Sequence, residues 1–342
     1  MRKQYPEFHK TMMEAETYPS ASRRIKHQET HRSHLYRTGD HLYKIRKGDS
    51  VYSSLAIKER FARDALTLGR HWAGEVAVAV VPLLRQGDTY ALGEEKLPGG
   101  EVVAYALQYV QLSDHYWLNR LLAAGKVTPT AMGRIARFLA EAHAGATLED
   151  KGAEAGRPEY FGSLMEEMLY QCKKYVPVTV SQPMLEIIAR PIIHFTEDAR
   201  KLFARRQKRG RIVNGHGAFV PNHIFMKGRE VHALSPLDGQ PKYRILDAAG
   251  DVASLVNTLE LAGAHDLIEI FIKRYMTAAK DRDLPRMLPA YRVMQAVRQG
   301  LMRSEWLTER PEDDPERKAR IEEAGGYFNL AVMAARDIPK DF

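Results

Sequence analysis

From residue 34 the pattern of apolar and polar positions turns to strand. Residues 33–37 and 41–46 are two β-prone runs parted by Thr38, Gly39 and Asp40, a spacing that predicts a hairpin. Over 55–72 the apolar side chains fall at Leu55, Phe61, Ala65, Leu66, Leu68 and Trp72, which fits one face of a helix. Strands are predicted over 76–84, 89–92 and 102–110, with turns at 86–88 and 98–100. Beyond residue 110 the period becomes helical, with helices predicted over 117–124, 128–144, 161–175, 182–207, 247–261, 267–279, 287–303 and 316–335. Thr128 as N-cap with Pro129 at the first helical position marks one of these starts. One stretch interrupts the series. Arg211, Ile212 and Val213 lead into a polar loop that ends at Ile224, Phe225 and Met226, and this reads as strand, loop, strand.

The remaining segments set the boundaries. Residues 1–33 are polar and rich in His and Arg, and read as an N-terminal arm with a short helix near 8–15 and a break at 19–22. Residues 34–112 form a small β-rich lobe with one helix. Residues 113–342 form a larger, mainly helical lobe, with 146–158 as its flexible segment. The fold class is therefore α+β.

Composition narrows the function classes. With 44% hydrophobic residues in 342, the chain can bury two cores, and a charged fraction of 27% is ordinary for globular proteins. The formal charge of +8 favours an anionic ligand or surface, yet no basic run is interleaved with aromatics as nucleic-acid binding requires. The run from 205 to 211 reads as a solvated helix end. A single cysteine, Cys172, excludes an internal disulfide and fits a reducing compartment; nothing near it in sequence lowers its pKa. The N-terminus lacks the apolar core of a signal peptide and no apolar run is long enough for a membrane span, so a cytoplasmic location is expected. His27, His31 and His34 are spaced four and three apart, but no cysteine or carboxylate completes a metal set. No metal site is expected there.

The loop His216, Gly217, Ala218, with His223 five positions after Ala218, resembles the H-G-D-x-x-x-x-N loop of the aminoglycoside phosphotransferase-like family. Two further segments carry the same resemblance. Residues 139–143 end in His143, like the family's L-A-x-x-H helix, and 247–253 carry Asp247 and Asp251, like its D-x-x-x-D-[LV]-A segment. The resemblance covers about residues 34–305. It implies a protein-kinase-like two-lobed fold with the loop at 214–226 in the helical lobe. By the same resemblance Lys44 holds nucleotide phosphates, with Lys47 in reserve and Asp64 as its helix carboxylate, although on the residues alone an exposed helix aspartate describes Asp64 better. His216, Gly217 and Asp251 shape the loop, Asp251 by accepting bonds from its backbone. On the segment alone, a solvated strand lysine describes Lys44 as well.

The positions that would do chemistry depart from the family. Phosphoryl transfer relies on charges that position the acceptor and bind magnesium. Ala218 stands where the family has its aspartate and His223 where it has its asparagine. Ser235 stands where it has the metal aspartate. Asn222, Asp238 and Asp247 are the substitutes within reach. These residues lead to the expectation of a pseudoenzyme that binds a small anionic ligand or a protein partner, with ATP and magnesium disfavoured as cofactors. The competing expectations are a divergent phosphotransferase with a rearranged metal site and a basic scaffold subunit of a larger assembly.

Overall fold

The computed structural model describes residues 6–18, 24–30, 32–48, 54–148, 152–308 and 311–341. The chain divides into two units: Met1–Tyr116 with His232–Gly239, and Trp117–Val231 with Gln240–Phe342.

In the first unit, α1 (His9–Met12) and β1 (Lys26–Glu29) precede the hairpin of β2 (Ser33–Arg37) and β3 (His41–Arg46). Then come α2 (Leu55–Ala73), β4 (Ala77–Gln86), β5 (Thr89–Leu92) and β6 (Glu101–Val110). The strands form one antiparallel sheet in the order β1-β2-β3-β6-β4-β5. Alternation along β3 sends Tyr43 and Ile45 into a core with Tyr36, Leu83, Leu92 and Ala106, and leaves Lys44 and Arg46 on the opposite face. That opposite face receives α2, whose Ala62, Ala65, Leu68 and Trp72 are buried as it packs on β4 and β6. Ser54 caps α2 by accepting from the Ile57 N–H at 3.3 Å.

The segment read as an arm is part of this unit. Met12, Tyr18 and Ile25 belong to the sheet's core, and β1 pairs with β2 along its length. Their irregular spacing follows neither the helical nor the strand period, which is why no pattern marked them. His27 and His34 lie on these paired strands with their rings stacked 5.3 Å apart. The break at 19–22 and His31 lie outside the described residues.

The second unit holds α3 (Leu118–Ala123), α4 (Pro129–Ala144), α5 (Gly152–Ala155), α6 (Pro158–Cys172), α7 (Gln182–Asp198) and α8 (Arg200–Lys208). Next are β7 (Ile212–Asn214), β8 (Ile224–Lys227), β9 (Glu230–Ala233), whose last two residues are counted with the first unit, and β10 (Ile245–Asp247). The chain closes with α9 (Ala249–Leu261), α10 (His265–Ala279), α11 (Leu284–Thr308) and α12 (Arg317–Arg336). β7 pairs antiparallel with β10, and β8 with β9. α9 is buried over nearly its whole surface, the polar Asp251, Ser254 and Asn257 included, and packs on α11.

Three expectations change here. The helix over 182–207 is two helices, α7 and α8, bent at Ala199, and beyond the bend Arg206 is fully buried rather than solvated. Asp247 ends a strand, and its helix begins at Ala249. Within 146–158, residues 152–155 are helical and Pro158 starts α6, while 149–151 lie outside the described residues. Residues 309–310 of the charged loop before α12 also lie outside them. Among the described residues no helix is long and apolar enough to cross a membrane.

Candidate functional site

In the first unit the sheet face under α2 collects charge. Lys44 is held between neighbours on both sides, Leu35 on β2 and Leu107 on β6 in register. Its Nζ lies 3.5 Å from Asp238 Oδ2, and Arg46 Nη1 lies 3.3 Å from Asp238 Oδ1. The three side chains are only 19–22% exposed. Burial alone would discharge each partner. The Asp238 carboxylate overcomes it and raises the Lys44 pKa, while Lys44 and Arg46 together hold the Asp238 pKa below the ordinary carboxylate range.

The turn that delivers Asp238 has special backbone. Ser235 has a φ of 56°, the left-handed region that non-glycine residues seldom occupy, and its side chain is exposed. At Gly239 an added Cβ would come within 2.6 Å of an Arg46 guanidinium nitrogen, so the guanidinium lies directly over the glycine. Asp64 does not take part: it is exposed on α2, and the carboxylate beside Lys44 is Asp238. Lys47 is paired with Glu29 at 2.7 Å.

In the second unit, the loop after β7 is tied down from beneath. Asp251 on α9 accepts from the backbone N–H groups of His216 and Gly217, both at 2.7 Å, and from His143 Nε2 at 3.1 Å. Burial acts to raise the Asp251 pKa, but the bonds from His143 and the loop outweigh it and hold the pKa low. His143 Nδ1 lies 2.8 Å from the Tyr275 hydroxyl, so both ring nitrogens are engaged. Arg298, buried on α11, donates to the Gly217 carbonyl and to Gln295 Oε1. Gly217 takes a φ of 74°, and at Gly215 a Cβ would meet Asp251 Oδ2 at 2.6 Å. Both positions need glycine, one for conformation and one for closeness.

The same loop offers little to a reacting group. Ala218 presents a methyl group. His223 Nδ1 is 2.9 Å from the Ala218 carbonyl oxygen, so that nitrogen serves the loop itself, and Asn222 is exposed. Asp247 is committed elsewhere: both its oxygens accept from the Arg206 guanidinium, which also bonds to Asp281, and Oδ1 caps the Ala249 N–H at 2.8 Å. Magnesium requires an octahedral set of oxygens, usually carboxylates. Asp247 is spent on Arg206, both oxygens of Asp238 face cations, and Ser235 supplies no charge. Among the described residues no trio of His, Cys, Asp or Glu is grouped to hold a metal ion. The residues present do not fit a magnesium site, whereas Lys44 and Arg46 fit a phosphate.

Sequence reasoning missed Arg46, Arg206 and Arg298. Arg46 was within reach of it, because position i+2 on a strand shares a face with Lys44. For Arg206 and Arg298 the sequence held no signal, since a buried arginine is marked only by its distant partners.

No family model matches the chain. Uncharacterized proteins of Mycobacterium bovis and Mycobacterium tuberculosis are 29% identical to it over 175 residues, 49% of this chain and 34% of each relative. The match thus spans about a third of the length of these curated relatives. A choline kinase from Cryptosporidium parvum superposes with a TM-score of 0.55 at 11% identity, covering 92% of this chain and 89% of that one. A choline/ethanolamine kinase family protein from Mesorhizobium loti gives 0.52 at 14%, covering 97% and 99%. The GDP complex of aminoglycoside 2'-phosphotransferase-IIIa gives 0.53 at 16%, covering 94% and 99%. At these identities the likeness is one of fold. The chain has the protein-kinase-like fold of aminoglycoside phosphotransferases and choline/ethanolamine kinases, as the sequence resemblance implied.

Proposed function

We propose that this protein keeps the fold of small-molecule phosphotransferases as a binding device and does not transfer phosphate. One observation carries the reading: the loop around Gly217 is fully supported by Asp251, His143 and Arg298, yet the position it supports, Ala218, is a methyl group. A methyl group neither accepts a proton nor orients a hydroxyl. The cationic face of Lys44 and Arg46 is the ligand-binding part, and it takes an anion, for which a nucleotide phosphate is the first candidate. The test pairs binding with chemistry. ATP and GTP are expected to raise the melting temperature saturably, without a magnesium requirement, and Lys44→Ala is expected to abolish the rise. No phosphate should reach choline, ethanolamine or kanamycin in the same preparations. Magnesium-dependent transfer that disappears in Asp238→Asn would overturn the proposal.

A second reading has an observation of its own. Asp238 lies beside Lys44 despite its distance in sequence, as a carboxylate replacing a lost catalytic charge would. In that reading the protein is a divergent phosphotransferase, and the transfer assay above decides between the two.

A further inference from the structure

Within the first unit, α2 and the Lys44 face of the sheet enclose a cavity of ≈ 310 Å³. This is near the lower end for small-molecule sites, which run from about 300 to 1,000 Å³. Its floor is apolar: Phe61, Ala62 and Ala65 from α2, and Leu107 from β6. Among its polar groups, Lys44 and Arg46 come from β3, Lys58 from α2 and Asp238 from the turn; Lys47 and Arg85 also line it, paired with Glu29 and Glu101.

Among the described residues, Lys58 is the lining cation without a charged partner. Its Nζ donates to the neutral Val103 carbonyl at 3.2 Å, and among the described residues no carboxylate lies within ion-pair distance of it. The side chain is half-buried, so water screens the charge less than at an open surface. Asp238 meets Lys44 and Arg46 at 3.5 and 3.3 Å, longer than the roughly 2.7–2.9 Å of a tight charge-assisted bond. Neither pair is tight, and a guanidinium with five N–H donors can serve more than one acceptor. Glu7, the other lining carboxylate, is exposed and accepts from Tyr90 at 2.7 Å.

We infer that this cavity binds a phosphate monoester with a small apolar or aromatic substituent. Lys58 and Arg46 hold the phosphate, and the substituent lies on Phe61, Ala62 and Ala65. The ester's two negative charges suit a site where Lys58 donates to a neutral acceptor and Asp238 is divided between two cations. The apolar floor distinguishes an ester from free phosphate. The inference rests on the binding reading above, but its test reads Lys58 and involves no phosphoryl transfer.

Isothermal titration of the full chain with phenyl phosphate, inorganic phosphate and phenol separates the contributions. Saturable one-to-one binding of phenyl phosphate is expected, with inorganic phosphate at least tenfold weaker and phenol undetectable. Lys58→Gln should weaken phenyl phosphate at least tenfold with an unchanged melting curve, and Lys58→Arg should restore most of the affinity. Lys126→Gln, an exposed lysine outside the cavity, should leave binding as it was. Absence of phenyl phosphate binding to the unaltered chain would overturn the inference and leave the loss of phosphoryl transfer standing. So would equal weakening in the Lys58 and Lys126 variants, or binding indifferent to Lys58→Gln.

Discussion

Asp238 shows how one side chain is read differently once its neighbours are known. In the sequence it is an acidic residue in a turn; in the fold it is the counter-ion of Lys44 and Arg46. Replacing it with asparagine leaves two partly buried cations facing a neutral amide, at a cost of roughly 1–3 kcal/mol. The pH dependence follows from the directions of the two shifts. A carboxylate with a depressed pKa stabilises the fold above its unfolded value, about 4, and that contribution is lost as pH falls through the lower folded value. Lys44, whose pKa is raised, contributes below its unfolded value, about 10.4, and the contribution is lost as pH rises through the folded value. The gap in melting temperature between the unaltered protein and Asp238→Asn should therefore be flat from about pH 5 to 9 and close at lower pH. A gap that widened on acidification would contradict the pairing.

At the scale of elements, α8, β10 and the connection from α10 to α11 are joined through a single guanidinium. Arg206 is 0% exposed and bonds to Asp247 and to Asp281, both of them buried. Removing the cation leaves two buried carboxylates, of which Asp281 retains Arg211 at 3.9 Å, and costs about 3–5 kcal/mol. Arg206→Met should lower urea-denaturation stability by that amount. Arg206→Lys should recover only part of it, because an ammonium cannot fork onto two carboxylates at once. A loss below about 1 kcal/mol in Arg206→Met would mean the network is not a structural tie. The sequence could not display this. Elements long enough to repeat a period, such as α2, α4 and α11, were legible from spacing alone. β1, β9 and β10 have three or four residues each, too few to show alternation, and they exist because a partner strand lies alongside. Lys44 with Asp238 and Arg206 with Asp247 are likewise long-range pairs, and periodicity carries no information about them.

For the molecule as a whole, the resemblance led to the right fold because the order of strands and helices survives where individual side chains do not. It was less informative about chemistry, because a motif position names a role only while the groups that share the role are present. Ala218→Asp tests that point. If an aspartate at this position were all that the binding reading lacked for chemistry, this one substitution would give transfer, since Asp251, His143 and Arg298 already hold the loop in shape. Phosphoryl transfer also needs carboxylates that hold the metal neutralising the phosphate charge, and a missing partner of that kind is not supplied by repairing another. Ser235 has no charge to offer, Asp238 is held by Lys44 and Arg46, and Asp247 is held by Arg206. The expected outcome is that Ala218→Asp folds, binds ATP as the unaltered chain does, and transfers no phosphate to choline, ethanolamine or kanamycin. Transfer by the single variant would mean that the metal-binding charges are present after all, and that Ala218 alone separates this chain from an active phosphotransferase.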